Sequence, residues 1–517
     1  MKVVTAQEMK LLEARAEAAG TPLETLAERA GLGVAQEIHS ILGDVRGVPI
    51  LVLVGSGNNG ADGLLTAHHL QIWGAKVTLY MCMPRDEKDL KLVSAEAIGC
   101  ILVLENQDTN HELLKKSLFS SQVVLDAILG SGTNRPLMGP LAKILTCVRE
   151  ILHVADRPLL VALDLPTGLD ATSGIADPLS FPADLTLTLG LPKLGQFTPQ
   201  GSTHVGAWQN VEIGFDHHLT EPLPMSLLDQ DEIAPLLPIR PLNAHKGTFG
   251  RVLIVAGSRA YVGAAYLACM GAYRAGAGLV TLAAPESLYP ILAQKLTEVT
   301  HLPLPEAAPG IVDPGAARIL SDHLDGYQAA VIGCGLSSHP SVLEFIQRLV
   351  LTKPLPMPVV LDADALNHLS QITNWWEYLE GSVILTPHPG EMSRLMNKTT
   401  EYIQDHRTEV SVQASKLWNT TLILKGAFSL VASPGGLIAI SPFANPGLAS
   451  GGTGDILAGI AGALLAQGID EFDAAKCAVY LHGAAGEELR HEMGDTGTIA
   501  SDLLSVLPRV TQALRYS

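Results

Sequence analysis

Short apolar segments alternate with amphipathic segments along most of the chain, and this alternation limits the possible folds more than any other feature. The apolar segments have the length of β-strands, and the segments between them have the spacing of helices with one buried face. This order predicts an α/β fold built on a mainly parallel sheet. The first series of predicted strands lies at 49–55, 76–82, 121–130, 159–168, 183–190 and 205–214.

A second series of predicted strands follows, at 250–258, 278–285, 329–335, 358–366, 382–391 and 421–436. Between the two series, residues 216–247 are rich in proline and show no period, which is typical of a linker. We therefore predict two domains, at 1–220 and 221–517. The first is expected to be a Rossmann-like α/β/α sandwich and the second another α/β domain.

The composition excludes several classes of partner. Lys and Arg number 34 against 52 Asp and Glu, and the resulting net charge of −18 opposes binding to a nucleic-acid backbone. No apolar run reaches the roughly 18 residues that a transmembrane helix needs. The six cysteines are scattered without a C-x-x-C pair, which indicates buried, reduced thiols. We expect a soluble, cytoplasmic homo-oligomer that binds small molecules and neither nucleic acid nor membrane.

A glycine-rich turn at residues 55–60 follows the first predicted strand and has the G-x-G-x-x-G spacing of dinucleotide-binding folds. A hydride-transfer Rossmann domain also needs an acidic residue at the end of its second strand, whereas residues 80–82 are Tyr-Met-Cys. Asn58, Asn59 and Asp62 crowd the turn with polar groups that a plain pyrophosphate turn does not need. The simple dinucleotide-binding interpretation is therefore disfavoured but stays open.

Two further carboxylates, Asp126 and Asp164, lie at the ends of predicted strands. The carboxyl ends of parallel strands share one edge of the sheet, where open α/β folds bind ligands. Either residue alone could simply cap the following turn. Asn59, Asp126 and Thr167 also offer oxygen ligands for a hard monovalent or divalent cation.

Residues 55–63, 126–136 and 164–170 resemble the YjeF N-terminal family, the NAD(P)H-hydrate epimerases. Ala61 stands where that family more commonly has Gly, and Thr167 where it more commonly has Ser; both changes are small. The resemblance implies that the loops bind the hydrated nicotinamide nucleotide, that Asp164 takes part in catalysis, and that Asn59, Asp126 and Thr167 ligate K⁺. The substrate-binding residues it implies are Asn58, Asn59, Gly60, Ala61, Asp62, Gly130, Ser131, Gly132, Thr133, Asn134, Arg135, Pro136 and Asp164.

The strongest local motif of the second half is the glycine-rich segment 445–457. Its glycines 451, 452 and 454 let backbone N–H groups point at one site beside a helix N-terminus, which favours an anion. Asp455 falls in the first helical turn, where its carboxylate is expected to be held ionised and able to act as a base on a substrate hydroxyl. The alternative is an ordinary capped helix after a glycine turn.

Other polar residues of this half also lie at strand ends. Lys425 ends a predicted strand and could reach a phosphate, although such lysines are often only solvated. His388 is presented between two prolines, and a lone His of this kind is as often structural as functional. Asp362 and Asp364 follow another strand, and one of them is expected to be a packing cap.

The second half is similar to the ribokinase-like fold and, in more detail, to the ADP-dependent NAD(P)H-hydrate dehydratases. The similar segments are 245–258, 271–285, 360–367, 385–391, 424–429 and 445–459. The resemblance implies that ADP binds Lys425, Gly426, Ala427, Phe428, Ser429 and Gly454, and that the hydrate binds Ala264, Gly335, His388 and Asp455. Cys334 and Ser337 depart from the Pro-Gly-Leu-Gly that the family has around Gly335.

Together these resemblances predict a bifunctional enzyme that repairs hydrated NADH and NADPH. The first domain would interconvert the R and S hydrates, and the second would dehydrate the S hydrate with ADP as phosphoryl donor and Mg²⁺ accompanying the nucleotide. One alternative is a ribokinase-like small-alcohol kinase fused to a nucleotide-binding domain. Another is a protein that binds nucleotide without turnover.

Overall fold

A computed structural model describes residues 1–132, 136–152 and 157–516. The chain forms two compact units, Met1–Leu223 and Pro224–Ser517. The N-terminal unit has a seven-stranded sheet in the order β3-β2-β1-β4-β5-β6-β7, with every neighbouring pair parallel. Its strands are β1 (Pro49–Val54), β2 (Lys76–Met81), β3 (Ile101–Leu104), β4 (Val123–Ala127), β5 (Leu159–Leu163), β6 (Leu185–Leu189) and β7 (Ala207–Val211).

Helices cover both faces of this sheet, as the predicted α/β/α sandwich requires. Val52 and Val54 of β1 belong to one apolar cluster, whereas Leu51 and Leu53 belong to a second. Since successive side chains of a strand point to opposite faces, the two clusters lie on the two faces. The helices are α1 (Ala6–Ala18), α2 (Leu23–Leu42), α3 (Asn58–Ile72), α4 (Leu90–Ala97), α5 (Glu112–Ser120), α6 (Pro140–Leu152), α7 (Ser202–Val205) and α8 (His217–Thr220).

The C-terminal unit has a ten-stranded sheet in the order β11-β10-β9-β14-β15-β16-β17-β18-β19-β8 and a separate β12–β13 hairpin. Pairs from β11 to β17 are parallel, and β17, β18 and β19 are antiparallel neighbours. The strands are β8 (Met225–Leu227), β9 (Arg251–Val255), β10 (Leu279–Pro285), β11 (Thr300–Leu304), β12 (Glu306–Ala308), β13 (Ile311–Val312), β14 (Ala329–Ile332), β15 (Val359–Leu361), β16 (Val383–Leu385), β17 (Thr421–Leu424), β18 (Leu430–Ala432) and β19 (Ile438–Ile440).

Two helices of this unit, α10 (Val262–Arg274) and α18 (Thr453–Ala466), pack unusually closely. A Cβ atom at Gly459 would lie 2.2 Å from the backbone oxygen of Ala268, so the contact requires glycine. The helices are α9 (Gln230–Ile233), α10 (Val262–Arg274), α11 (Tyr289–Lys295), α12 (Ala316–Ser321), α13 (Pro340–Val350), α14 (Asp364–Leu369), α15 (Pro389–Met396), α16 (Thr400–Asp405), α17 (Arg407–Trp418), α18 (Thr453–Ala466), α19 (Glu471–Met493) and α20 (Ala500–Tyr516).

The prediction that residues 216–247 form only a linker is wrong. Met225–Leu227 is the edge strand β8, which pairs in parallel with Ile438–Ile440 of β19. Met225 and Leu227 are buried. Three residues are too few to show a period, and the prolines on either side conceal the strand in the sequence.

Two expectations from composition can be compared with the structure. All six cysteines are free and buried, as predicted. Within the described part of the chain, no helix combines the length and the apolar character that crossing a bilayer demands.

Candidate active sites

A cleft of about 960 Å³ opens at the carboxyl edge of the N-terminal sheet. The predicted substrate-binding residues that line it are Asn58, Asn59, Ala61, Asp62, Gly130, Ser131, Gly132 and Asp164. Gly60 lies behind this wall, where a Cβ atom would come within 2.0 Å of the Gly55 backbone oxygen. Pro136 is exposed and is not part of the lining. Thr133, Asn134 and Arg135 lie outside the described residues.

Asp164 is held in one orientation at the end of β5. Its φ of 69° lies in the left-handed region, where a non-glycine residue is strained, and its N–H donates to the Leu187 oxygen over 2.8 Å. Its Oδ1 atom accepts a hydrogen bond of 3.2 Å from the Leu189 N–H and pairs with the Nζ atom of Lys193. The Asp164 carboxylate is therefore fixed by both backbone and side-chain contacts.

Lys193 is a cleft residue that sequence reasoning missed. Its side chain is buried, with 1% exposed, and Nζ also donates to the Leu189 oxygen over 2.9 Å. A buried ammonium group is costly unless it is paired, so the contact with Asp164 stabilises both groups. A lysine just after a strand that ends at the ligand-binding edge was the only available sequence signal.

Two more carboxyl groups face the same cleft. Burial raises the pKa of Asp62 to about 8, and the charges of Asp164 and Glu13 raise it further than Lys91 lowers it. Burial and the nearby Asp164 also raise the pKa of Glu13, which projects from α1. The cleft therefore contains a carboxyl group, Asp62, that is mostly protonated at neutral pH beside a carboxylate, Asp164, that is paired with a lysine.

The predicted cation ligands Asp126 and Thr167 are in direct contact and fully buried. The Thr167 hydroxyl donates to Asp126 Oδ1 over 2.7 Å, and its N–H donates to Oδ2 over 2.8 Å. Burial raises the pKa of Asp126, and only hydrogen bonds, with no cationic side chain of the described residues, oppose that shift. A buried carboxylate without a cationic partner beside a hydroxyl oxygen fits a cation in charge and donor chemistry.

Asn59, the third predicted cation ligand, lies under the loop that follows β4. A Cβ atom at Gly130 would lie 3.0 Å from its Oδ1 atom. The Nδ2 atom of Asn59 is buried and has no hydrogen-bond partner among the described residues. Because buried amides are normally satisfied, this donor indicates a place for an acceptor from a ligand.

In the C-terminal unit, Asp455 lies in the first turn of α18 as predicted. It is not fully ionised as expected, because burial and the Asp362 charge raise its pKa to about 7. A hydrogen bond from Cys334 lowers the pKa, but by less than the other two effects raise it. The Cys334 thiol also lies 3.6 Å from Asp362 Oδ2. Asp455 is thus a base that is about half ionised at neutral pH, a suitable state for general-base catalysis.

Asp362 also forms an ion pair with Lys425. Lys425 Nζ lies 2.7 Å from Asp362 Oδ1 and 3.7 Å from Glu391 Oε2. Burial lowers the pKa of Lys425, but the two carboxylates more than offset that effect, so the pKa is raised and the group stays charged. Lys425 is therefore a fixed positive charge, and Glu391 is a neighbour of it that the sequence did not reveal.

His388 lies beside Glu391 and near Lys425. Its Nδ1 atom accepts hydrogen bonds from the Gly390 and Glu391 N–H groups over 3.0 and 3.3 Å, which caps α15. Burial and the Lys425 charge lower its pKa to about 4, so the ring is neutral at neutral pH. With Nδ1 accepting, Nε2 carries the proton and lies 3.3 Å from Glu391 Oε1.

The glycine-rich turn before α18 places Gly454, a predicted ADP-binding residue, next to Lys425. Gly452, with φ of 94°, precedes α18 in a conformation that favours glycine. A Cβ atom at Gly454 would lie 3.4 Å from Lys425 Nζ. The residues Gly426, Ala427, Phe428 and Ser429 form the turn between β17 and β18, and the Arg407 side chain supports that turn by donating to the Lys425 oxygen over 3.3 Å.

The other predicted hydrate-binding residues are also close neighbours. A Cβ atom at Gly335, whose φ is 64°, would lie 2.8 Å from the Ala264 Cβ atom. Asp364, by contrast, accepts a hydrogen bond of 2.7 Å from the Ser337 N–H and serves as the packing cap. Of the two aspartates after β15, Asp362 is therefore the one that pairs with Lys425.

Each α/β unit gathers ionisable side chains beside a glycine-rich turn, and the two together define a two-domain α/β enzyme. The YjeF-related protein N-terminus family matches residues 23–195, and the NAD(P)H-hydrate dehydratase family matches 252–509. The bifunctional NAD(P)H-hydrate repair enzyme Nnr of Moorella thermoacetica is 37% identical, with 99% of this chain and 97% of the relative covered. The enzyme of that name from Thermofilum pendens is 32% identical, with 100% and 97% covered.

A solved structure, the ADP/ATP-dependent NAD(P)H-hydrate dehydratase from Bacillus subtilis co-crystallised with ATP/Mg²⁺, is 34% identical and gives a TM-score of 0.48. It covers 55% of this chain and 97% of its own. The chain belongs to the family of bifunctional NAD(P)H-hydrate repair enzymes. The predicted family, α/β fold class and enzyme type are confirmed, and the small-alcohol kinase alternative is not favoured.

Proposed function

We propose that the N-terminal unit interconverts the R and S hydrates of NADH and NADPH in its cleft. The C-terminal unit then dehydrates the S hydrate with ADP as phosphoryl donor. The observation that carries this proposal is the placement of Asp455, a half-buried carboxyl group with a pKa of about 7, in the first turn of α18 near the Lys425 charge. These are the parts that phosphoryl transfer requires, a base for the attacking hydroxyl and stabilisation of the phosphate charge.

The dehydratase reaction begins at the hydroxyl group of the hydrate. Asp455 takes the hydroxyl proton while the oxygen attacks the terminal phosphorus of ADP, and AMP leaves with the electron pair of the broken P–O bond. The backbone N–H groups at 452–454 and the Lys425 ammonium stabilise the charge on the phosphoryl oxygens. The phosphorylated oxygen then leaves as phosphate with the C–O electron pair, the adjacent ring carbon loses a proton to water, and the C–H electron pair restores the ring double bond.

We assign the ADP-binding and hydrate-binding residues from the contacts that surround Asp455 and Lys425. Lys425, Gly426, Ala427, Phe428, Ser429 and Gly454 hold ADP, with Mg²⁺ accompanying its phosphates. Ala264, Gly335, His388 and Asp455 contact the hydrate. Gly335 and Ala264 lie too close together for any side chain at 335, which leaves a smooth wall for a flat ring. The neutral His388 ring is half-exposed and contacts the hydrate, while its Nε2–H group lies beside Glu391 Oε1.

The epimerase is expected to hold K⁺ through Asn59, Asp126 and Thr167. A potassium ion there would place positive charge near the substrate phosphates, in a chain whose net charge is −18. The support for this assignment is the buried Asp126 carboxylate, which lacks a cationic partner among the described residues. The loops Asn58–Asp62 and 130–136 bind the hydrate, and Asp164 contacts it.

The domain assignment follows the two families. We assign the epimerase to 1–220 and the dehydratase to 221–517. The homo-oligomer and the cytoplasmic location stay predictions.

Product analysis tests the proposed function. The purified full-length chain is incubated with pure S hydrate and ADP, and the products are separated chromatographically. We expect reduced nucleotide, AMP and phosphate in equal amounts. A phosphorylated alcohol that accumulates without reduced nucleotide would instead identify a kinase, and no consumption of either substrate would identify a binding protein.

A further inference from the structure

We propose that Asp62 and Asp164 are the two proton-transfer residues of the epimerase, with Asp62 as the acid and Asp164 as the base. Lys193 is the positioning residue that holds the Asp164 carboxylate. The inference rests on the proposed epimerase function and assigns the groups that carry it out.

The two carboxyl groups lie at separated points of one cleft. Asp62 lies one turn into α3, which follows β1, and Asp164 follows the end of β5. Strand β4 lies between β1 and β5 in the sheet. Because neighbouring strands are about 4.8 Å apart, the ends of β1 and β5 are about 10 Å apart. Both residues line the cleft.

The contacts of Asp164 suit a base. Its Oδ1 atom is occupied by Lys193 and by the Leu189 N–H. Its Oδ2 atom accepts no hydrogen bond from the described residues, so one oxygen is available to a water molecule or substrate hydroxyl. The ammonium group of Lys193 holds Oδ1 and so fixes the direction in which Oδ2 points.

The surroundings of Asp62 suit an acid. Burial raises its pKa to about 8, and the charges of Asp164 and Glu13 add to the effect, whereas Lys91 and Arg85 oppose it. Asp62 is therefore mostly protonated at neutral pH and can donate. A carboxyl group that keeps its proton, in the same cleft as a second carboxyl group with an available oxygen, is a suitable arrangement for an acid and a base.

The chemistry of the hydrate requires two such groups. Hydration places a hydroxyl group on the ring carbon beside the nitrogen. Asp62 gives its proton to that hydroxyl, the C–O bond breaks with its electron pair on oxygen, and the ring nitrogen lone pair forms a C=N bond as water leaves. A water molecule on the opposite face then adds to the carbon, the C=N pair returns to nitrogen, and Asp164 Oδ2 takes the proton of that water.

The product has the opposite configuration, and all atoms balance. Asp62 is left ionised and Asp164 protonated, which is the state needed to run the reaction in the other direction. Exchange of protons with bulk water restores the first state.

The first test follows the hydroxyl oxygen. The full-length enzyme epimerises R hydrate in ¹⁸O-labelled water without ADP, and the S hydrate is analysed by mass spectrometry. We expect one ¹⁸O atom in each S molecule formed by the enzyme, after subtraction of the spontaneous reaction. Epimerisation with the original oxygen retained would overturn the inference and leave the proposed function intact, whereas no epimerisation at all would contradict the proposed function itself.

The second test uses substitutions. We expect Asp62→Asn and Asp164→Asn each to lower the epimerase kcat about 100-fold or more with little change in KM, since both remove proton transfer and preserve shape. The control is Asp44→Asn, which removes an exposed carboxylate paired with Arg46 and should leave the rate unchanged. A wild-type kcat in either cleft variant would overturn the assignment of that residue.

The role of Lys193 is tested by a double variant. Lys193→Met alone leaves Asp164 buried without its partner and can unfold the domain, whereas Lys193→Met with Asp164→Asn removes both charges together. If Lys193 acts through Asp164, the double variant has the kcat of Asp164→Asn alone, because effects of residues that act as a unit do not add. A further loss equal to that of an independent residue would show that Lys193 acts directly, contrary to the proposal. Urea unfolding of the N-terminal fragment 1–223 with each substitution reports whether that unit is folded, and dehydration of S hydrate by the full-length chain reports the amount of intact enzyme.

Discussion

The Nζ atom of Lys425 lies 2.7 Å from the Oδ1 atom of Asp362 and joins the ends of β17 and β15 through a buried ion pair. Both side chains are largely shielded from water, with exposed fractions of 16% and 2%. The Thr386 hydroxyl donates to the same Asp362 oxygen over 2.7 Å. The pair therefore fixes the geometry beside Asp455 as well as supplying charge.

Removal of one partner of this pair is expected to destabilise the C-terminal unit. Lys425→Met should lower the free energy of unfolding by about 3–5 kcal/mol, because it leaves Asp362 buried without a counter-charge. Urea unfolding followed by the fluorescence of the buried Trp375 and Trp418 measures the change. Lys425→Met with Asp362→Asn should recover most of the stability but no dehydratase activity. Unchanged stability in the single variant would contradict the structural role of the pair.

The dehydratase should lose activity in mild acid. The base must be ionised to accept the hydroxyl proton, and burial together with Asp362 raises the Asp455 pKa from 3.8 to about 7. As pH falls below about 7, protonated Asp455 accumulates and kcat/KM should fall tenfold per pH unit. Stopped assays with S hydrate between pH 5 and 8 measure this profile, provided the assay corrects for spontaneous loss of substrate. A profile that stays flat down to pH 5 is incompatible with this base.

Asp455→Asn should abolish dehydration while preserving ADP binding. The substitution keeps the shape of the side chain and the backbone N–H groups of the turn, so only proton transfer is lost, at a cost of about 100-fold or more in rate. Turnover of S hydrate and equilibrium dialysis of ADP measure the two properties. Turnover near the wild-type value would exclude Asp455 as the base.

The cation-site residues should affect only the epimerase. Asp126→Ala removes the anionic ligand and should slow conversion of R hydrate, and added K⁺ should no longer accelerate it. Dehydration of pure S hydrate should be unchanged because that site is in the other unit. Thr167→Val, which keeps the shape but removes the hydroxyl, should weaken the response to K⁺. An Asp126→Ala enzyme with the wild-type response to K⁺ would refute the assignment.

The strand β8 gives a test of domain independence. A fragment that begins at Met225 should be soluble and should dehydrate S hydrate with ADP. A fragment that begins at Asp229 lacks the strand that covers Ile438–Ile440 and should aggregate, since an unpaired apolar edge favours association. Size-exclusion chromatography and the dehydratase assay compare the two. Equal behaviour of the fragments would mean that β8 does not stabilise the sheet.

The sequence predicted the parts of the fold that depend on local pattern. All six strand segments predicted in each series contain a strand, because buried parallel strands are continuously apolar. Strand β3 was missed because Ile101–Leu104 is a short edge strand whose first residue is 59% exposed. A strand of that kind has neither a continuous apolar run nor a clear alternation.

Site residues that belong to a short sequence motif could be predicted. Contacts between residues far apart in the sequence could not. The second glycine turn marked Asp455 correctly as a residue of the first turn of α18, whereas Asp62, expected in the first glycine turn, lies within α3. The contact of Lys193 with Asp164, and the proximity of Asp362 that raises the Asp455 pKa, depend on tertiary packing. Helix position alone suggested an ionised Asp455, because burial is not visible in a short motif.

The most direct test of the whole account measures recovery of the reduced-nicotinamide absorbance from a mixture of R and S hydrates. With ADP, the wild-type enzyme should convert the entire mixture, whereas Asp164→Ala should stop at the S fraction and then follow the slow spontaneous epimerisation. Without ADP, neither enzyme should restore any absorbance. A wild-type reaction that stops at the S fraction, or that proceeds without ADP, would contradict a two-domain enzyme in which one unit supplies the epimer that the other consumes.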